Sequence, residues 1–250
     1  MPLYQSPALV LRTMRLGEAD RIVTFFTRKY GKLKAVAKGA LKPKSRLSGR
    51  VEPFLHVNII VFGKEKADLF RLNSIDIVEA FMPMRERLER LSRAYVSAEL
   101  VDICQKEGDV NQAGFDLLLS FLRALNQDMP KDRQELLLRF FELKFLSSIG
   151  LEPALEKCVI CGAEPKGDKT GFHPAQGGVV CSRCLPGSPS AIIATMGAIK
   201  LLAKGMSLPN ERLSRLSASP KLILEVDRLV NRFISAHVAR DIRSERFLKL

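Results

Sequence analysis

Four cysteines stand in two pairs, Cys158-x2-Cys161 and Cys181-x2-Cys184, with 19 residues between the pairs. Two C-x-x-C knuckles bring four thiolates to the vertices of a tetrahedron, which is the donor set of a structural zinc site. Four protein ligands fill the zinc shell and leave no place for a reacting water, so the set predicts one structural Zn2+ per chain. Gly162, directly after the first pair, relieves crowding where the chain turns back over the metal. A disulfide framework belongs to an oxidising compartment. The N-terminus "MPLYQSPALVLRT" has no basic leader before an apolar core, so cytoplasm is the expected location. A base deaminase also carries a C-x-x-C pair, but it needs a His/Cys-x-Glu element to move protons. The three histidines read His56-Val57-Asn58, His173-Pro174-Ala175 and His237-Val238-Ala239, and none supplies it. His173 lies between the pairs and reads as a loop residue rather than a spare ligand. A thioredoxin-like redox role lacks the βαβ setting it requires.

A second set of residues carries charge instead of metal chemistry. The stretch "KYGKLKAVAKGALKPKSRLSGR" holds eight cations, Lys29, Lys32, Lys34, Lys38, Lys42, Lys44, Arg46 and Arg50, and no acid. Such density repels itself and weakens a compact state unless a negative partner is present. Read as a strand, Leu33, Ala35 and Ala37 face one way, and Lys32, Lys34, Val36 and Lys38 the other. The Gly/Pro/Ser-containing loop that follows adds Lys42, Lys44, Arg46 and Arg50. A cationic strand face continued by a cationic loop fits a phosphate backbone, and the pattern favours backbone contact over base-edge reading. The chain has no Trp, so base stacking would fall to Phe or Tyr, with Tyr30 and Phe62 as the candidates.

Charge also divides the chain. Residues 1–80 hold 15 basic and 7 acidic residues, 81–150 hold 10 and 11, and 151–250 hold 15 and 9, for a net +13 overall. Two basic blocks flank a neutral one, and a polyanion is the expected partner of the basic blocks. No apolar stretch approaches the roughly 20 residues that span a bilayer, so no membrane partner is expected.

The elements that must position these residues follow from periodicity. Residues 7–80 alternate with period two in runs near 7–14, 20–28, 32–38, 54–62 and 67–79, split by turns at Leu16-Gly17-Glu18, Tyr30-Gly31 and Gly63-Lys64. Five short strands in so few residues predict an OB-type β-barrel, a fold that binds oligonucleotides on one face. From Met84 the period becomes 3.6. Leu88, Leu91, Tyr95 and Ala98 form one stripe, and Cys104 continues it as a buried small hydrophobe rather than a nucleophile. A second helix near 112–127 turns Phe115, Leu118, Leu119, Leu122 and Leu125 inward. The third, "RQELLLRFFELKFLSSIG", is apolar almost all round, which places it at the centre of a helical unit, with Gly150 as its cap. Beyond the cysteines the chain is helical again, and Ser219-Pro220 reads as an N-cap followed by proline at the first helical position. The expected fold is α+β and multidomain. An OB-type barrel occupies 1–80, a helical region 81–155, an inserted four-cysteine zinc finger 156–187, and C-terminal helices packing with the helical region 188–250.

With these parts in this order, the chain resembles the RecO family of bacterial DNA repair and recombination-mediator proteins. The resemblance runs over essentially the whole chain. It is most specific at "AKGALKPKSR", at "FFELKFLSSIGLEPALEKCVICG" and at the tail "RSERFLKL". It implies a non-enzymatic protein that binds single- and double-stranded DNA and anneals complementary strands, including strands coated by single-stranded-DNA-binding protein. With RecR such a protein helps load RecA, so the RecA filament is an indirect partner. By position, Lys32, Lys34, Lys38, Lys42, Lys44 and Arg46 become DNA contacts, with Arg50 beside them. Cys158, Cys161, Cys181 and Cys184 become zinc ligands. The resemblance also implies a grip on the acidic, Phe-ending tail of the single-stranded-DNA-binding protein. The helical region offers apolar surfaces beside Arg123, Arg133, Arg139 and Lys144 for it. The implied location is the bacterial cytoplasm, at the nucleoid when bound to DNA.

Two other classes can be set against this reading. An RNA-binding OB and zinc-finger protein would share the barrel, the charge and the cysteines. A hydrolase or nuclease would need clustered Asp, Glu and His for catalytic metals or a phosphate-cradling G-x-x-x-x-G-K loop, and the sequence has neither.

Overall fold

The computed structural model describes residues 2–64, 67–167 and 169–249. It forms two compact units, Met1–Gln127 with Arg243–Leu250, and Asp128–Ile242. The fold class read from the sequence is the one found: a five-stranded barrel, then helices, with a four-cysteine insert.

In the first unit, β1 (Leu3–Leu16), β2 (Asp20–Thr27), β3 (Gly31–Ala37), β4 (His56–Phe62) and β5 (Phe70–Glu79) close a barrel in the order β1-β2-β3-β5-β4. All neighbours are antiparallel except β3 and β5, whose parallel pairing at Ala35–Phe70 and Val36–Arg71 completes the closure. Period-two alternation sets the inside. Val23 and Phe25, Leu33, Ala35 and Ala37, and Val57, Ile59 and Val61 fill the core. Their even-numbered neighbours face out. A bulge between Val10 and Arg12 shifts the register of β1, so Arg12, Met14 and Leu16 face outward.

Part of that outer face is covered. The chain continues through α1 (Met82–Arg85), α2 (Leu88–Cys104) and α3 (Gln112–Leu125). Asn111 caps α3 by accepting from the Gly114 amide at 2.7 Å. Phe115 of α3 lies edge-on to Phe26 of β2 and to His56 of β4, at 5.9 and 6.3 Å between centroids. Phe115, Leu118, Leu119, Leu122 and Leu125 are all buried, as their spacing predicts. The stripe predicted on α2 is borne out only at Ala98: Leu88 and Tyr95 are exposed and Leu91 is half-buried, while the packed side also carries Ala94, Ser97 and Val101. The serines account for the difference. Ser92 and Ser97 bond back to the carbonyls of Glu89 and Ala94, so polar residues enter the packed side with their hydroxyls satisfied. Glu99 of α2 accepts from the Arg243 and Ser244 amides at 3.1 and 2.7 Å, which ties the end of the chain to this unit.

In the second unit, α4 (Lys131–Ser148) holds Leu136, Leu137, Leu138, Phe140, Phe141, Leu143, Phe145 and Leu146 fully inside, the central position its composition predicts. Gly150 closes α4 as predicted, its amide donating to the Ser147 carbonyl at 3.0 Å. A three-stranded sheet follows, β6 (Lys169–His173), β7 (Gly178–Val180) and β8 (Ile192–Thr195), in the order β7-β6-β8. Then come α5 (Met196–Ser207), α6 (Asn210–Leu213) and α7 (Pro220–His237). Ser219 caps α7 from its side chain, with Pro220 directly behind it.

Candidate nucleic-acid interface and metal centre

Strand β3 carries Lys32, Lys34 and Val36 outward, as the alternation predicts, but the three do not share one environment. Lys32 is buried, at 8 % exposure, and its ammonium donates to the Asp102 carbonyl while lying 3.4 Å from the Asp102 carboxylate. Lys34 is half-exposed with its ammonium 2.5 Å from Glu107. This corrects the expectation of a solvent-facing lysine row: Lys32 is part of the join between the barrel and α2. The segment after α2 presses on the same strand. The Gly108 amide donates to the Lys32 carbonyl at 2.9 Å, and a Cβ on Gly31 would fall 1.9 Å from the Asp109 carbonyl oxygen. Gly31, at φ 65°, is therefore fixed by both turn and contact. Two further barrel cations have acidic partners: Arg12 lies 3.8 Å from Asp102, and Arg28 pairs with Asp116 through two bonds of 3.0 Å. Sequence reasoning missed Asp102, Glu107 and Asp116 as partners, because they lie about 70 to 90 residues from the cations they meet.

The loop after β3 differs. Lys38, Lys42, Lys44 and Arg46 are exposed and, among the described residues, have no ion pair. Their backbone is nonetheless fixed. Successive four-residue turns run through Lys42, Ser45, Ser48 and Arg50, and Ala40 and Val51 are buried in the barrel core. The Gly39 amide donates to the Asp20 carboxylate at 2.7 Å, and the Leu41 amide to the Ala19 carbonyl at 2.9 Å. Those bonds pin the loop to the β1–β2 hairpin. Arg21 donates to Glu52 at 2.9 Å and Thr13 to the Val51 carbonyl, securing the far end. Arg50 is exposed but leans on β5, 3.3 Å from the Ile75 carbonyl and 3.8 Å from Asp76. The arrangement thus offers four exposed cations, without an ion pair among the described residues, on a loop tied to the barrel by backbone hydrogen bonds.

The candidate aromatic platforms are engaged. Tyr30 meets Tyr4 edge-on at 5.3 Å, and Phe62 lies under the Arg71 guanidinium at 5.4 Å. Cys104 is partly buried; burial pushes its thiol up to about 11, with the Lys32 charge acting the other way, so it is no nucleophile at neutral pH.

The four predicted cysteines come together. Their sulfurs all lie within 4.8 Å of one another, and Cys161 and Cys181 are 3.7 Å apart. Zinc–sulfur bonds of about 2.3 Å put tetrahedral sulfurs about 3.8 Å apart, so the set is close to the geometry a metal would impose. Each knuckle is a tight turn: the Gly162 amide donates to the Cys158 carbonyl at 2.8 Å, and the Cys184 and Leu185 amides to the Cys181 carbonyl. Gly162 takes φ 72°, the left-handed turn that its place after the first pair predicts. Val159 packs against Gly178, and its amide bonds to the Val179 carbonyl at 2.9 Å, locking the first knuckle to β7. Burial opposes ionisation of Cys158, but amide donors from Cys181, Cys161 and Ile160 outweigh it and draw the thiol down to about 6. Without a metal, Cys184 moves the other way, its thiol raised by side-chain bonds to Cys161 and Cys181. Four thiolates this close need a cation between them, and the residues fit a tetrahedral metal ion. His173 is not in the cluster; its Nδ1 accepts from the Gln176 amide at 3.2 Å, in a turn.

Three of the four cations expected around a tail-binding surface are committed elsewhere. Arg139 is 2 % exposed and bonded to Glu142 at 2.8 Å, Glu135 at 3.0 Å, Asp227 at 2.7 Å and Asn231 at 2.9 Å. Burial works against its charge, and the three carboxylates outweigh it. Arg123 binds Glu79, and Lys144 donates to the Leu208 carbonyl. Arg133 alone of the four is exposed without such a bond among the described residues.

A closed five-stranded barrel with a fixed cationic loop, joined to helices and a four-thiolate cluster, defines a class of OB-barrel proteins with a metal-binding insert. The family model described as Recombination protein O N terminal matches residues 1–81, and Recombination protein O C terminal matches residues 85–246. The DNA repair protein RecO of Symbiobacterium thermophilum is 35% identical over 250 residues, covering 99% of this chain and 97% of the relative. Those of Pelotomaculum thermopropionicum and Myxococcus xanthus are each 33% identical, covering 99% of this chain and 94% and 98% of the relatives. This chain belongs to the RecO family of DNA repair proteins. Among the described residues, no helix is long and apolar enough to cross a membrane.

Proposed function

We propose that this protein is a recombination mediator that anneals complementary DNA single strands. With partner proteins it helps load a recombinase onto coated single strands during repair. The observation that carries the reading is the loop quartet Lys38, Lys42, Lys44 and Arg46, exposed, without an ion pair among the described residues and pinned to the barrel. Two phosphate-rich strands repel each other, and a protein of net charge +13 can screen that repulsion by displacing counterions. Neutralisation and positioning are sufficient for pairing, so the protein acts without bond chemistry and is not an enzyme. Single- and double-stranded DNA are its ligands. RecR and the acidic tail of the single-stranded-DNA-binding protein are its protein partners, and the RecA filament is reached through them. The four cysteines hold one Zn2+ that stabilises their own fold. The protein works in the bacterial cytoplasm and joins the nucleoid when bound to DNA.

The test mixes complementary oligonucleotides with the full chain, without nucleotide or divalent metal, and follows duplex formation. Accelerated pairing that the Lys38, Lys42, Lys44, Arg46→Ala variant lacks is the expected result. No acceleration overturns the reading. Preference for RNA of the same sequence would favour an RNA-binding role, and strand cleavage on adding magnesium would favour an enzyme.

A further inference from the structure

The outer face of the barrel carries a largely apolar belt. Cross-strand register places Met14 of β1 opposite Ile22 of β2, Ile22 opposite Val36 of β3, and Val36 beside Arg71 of β5. Arg71 in turn pairs with Phe62 of β4, and its guanidinium lies over that ring. Residues paired in register share a face, so these five form one row around the outside of the barrel. Met14 is 43 % exposed, and Ile22 and Val36 are half-buried.

The rest of this face is occupied. Phe26 and His56 lie under Phe115, Lys32 is held by Asp102, and Lys34 by Glu107. The row next to the belt holds Arg12, Thr24 and Lys34, and its two cations face Asp102 and Glu107. On its other side the register sets Leu16 opposite Asp20, whose carboxylate accepts from the Gly39 amide, and Lys38, two residues after Val36, opens the cationic loop. An apolar row with neutralised cations on one flank and free cations on the other is complementary to an unstacked single strand. Phosphates meet the free cations and base faces lie on the row. With strands about 4.8 Å apart, the Met14–Ile22–Val36 part spans about 10 Å, room for about one or two bases laid face-down.

We infer that bases of single-stranded DNA dock on the aliphatic row Met14–Ile22–Val36, extended by Arg71 over Phe62, with their phosphates toward Lys38 and the loop behind it. This rests on the DNA-binding reading above and adds the base-contact surface to it. A duplex keeps its base faces stacked and cannot use the row, so the row selects single strands in a way that charge alone does not.

The chain has no tryptophan, so Met14→Trp gives the full-length protein a single indole at an exposed point of the row. Its fluorescence should be quenched by a single-stranded oligothymidylate, and little changed by an abasic sugar-phosphate strand of equal length or by a duplex. The triple variant Met14→Ala, Ile22→Thr, Val36→Thr keeps β-compatible residues at both inner positions. It should bind single strands about tenfold more weakly at fixed salt, with the salt slope and duplex affinity unchanged. Equal quenching by abasic and base-bearing strands, or wild-type single-strand affinity in the triple variant, overturns the inference while leaving DNA binding intact. An indole that responds to polyglutamate but not to the oligonucleotide overturns it in favour of an acidic protein partner. Failure of the wild-type chain to bind any strand removes the DNA reading itself.

Discussion

The Lys32 ammonium donates to the backbone carbonyl of Asp102 and lies 3.4 Å from that residue's carboxylate, 70 residues away in sequence. A cation in the most basic strand of the chain therefore serves to hold β3 against the end of α2. Lys32→Ala should lower stability by about 1–3 kcal/mol, because it removes a buried charge-assisted bond and leaves Asp102, among the described residues, with Arg12 at 3.8 Å. The salt dependence of DNA binding should stay as in the parent. Chemical denaturation and a salt titration check the two halves separately. A fall in slope with unchanged stability would return Lys32 to the DNA surface.

The loop residues should behave in the opposite way. Replacing Lys38, Lys42, Lys44 or Arg46 with Ala should weaken binding to every sequence about equally. It should also reduce the single-strand salt slope by about 0.7 for each phosphate no longer neutralised. The melting temperature should hardly move, since all four side chains are exposed. Lys34 sits between the two cases, and Glu107→Gln should raise DNA affinity by freeing its ammonium. Binding by filter or anisotropy at several salt concentrations decides it, and a quadruple variant with parental affinity would move the interface off this loop.

Much of this architecture is legible in the residues alone, and the reasons are local. Alternation in "KLKAVA" fixes which side chains of β3 face in, because the hydrophobic core accepts Leu33, Ala35 and Ala37 and not lysine. The C-x-x-C spacing fixes the four-sulfur cluster, because each knuckle closes on its own backbone. Which of the outward lysines are free is a different kind of fact. It depends on Asp102 and Glu107 arriving from beyond the barrel, and nothing in the cationic stretch encodes that approach. The buried face of α2 departs from its apolar stripe for a related reason: Ser92 and Ser97 satisfy themselves within the helix, so they pack where an apolar pattern would not put them. Arg139 reads from sequence as a surface cation on an apolar helix. It is the buried centre of a network whose partners Asp227 and Asn231 belong to α7.

Glu79 gives the first unit a predictable acid response. Its carboxyl is held below the usual carboxylate range chiefly by the hydrogen bond from Arg123, against burial and with help from His56. The three residues join β5, β4 and α3. A carboxyl whose pKa is lower folded than unfolded stabilises above its unfolded value, about 4.3, and that contribution disappears as the pH falls through the folded value. Unfolding free energy should therefore drop on acidification below about pH 5. Arg123→Ala should flatten that part of the profile and cost about 0.2–1 kcal/mol at neutral pH, the range for a partly exposed pair. Denaturation of both proteins between pH 3 and pH 7 checks it. Parallel profiles would show that Glu79 is not linked through Arg123.

The four-thiolate cluster should hold one zinc per chain, measured by elemental analysis of the purified protein. The argument is geometric and electrostatic together. Sulfurs within 4.8 Å of one another cannot all ionise without a cation, and knuckles closed by their own amides present them at tetrahedral spacing. Binding energy at such a site is folding energy for the structure around it. Cys158→Ser or Cys181→Ser removes a buried ligand and should release the metal and lower the melting temperature. The local consequence should be loss of amide protection in β7, because Val159 of the first knuckle packs against Gly178. Single-strand affinity should survive, since Lys38, Lys42, Lys44 and Arg46 belong to the other compact unit. A purified chain with no metal and unchanged stability after either substitution would show that the cysteines hold together as thiols alone.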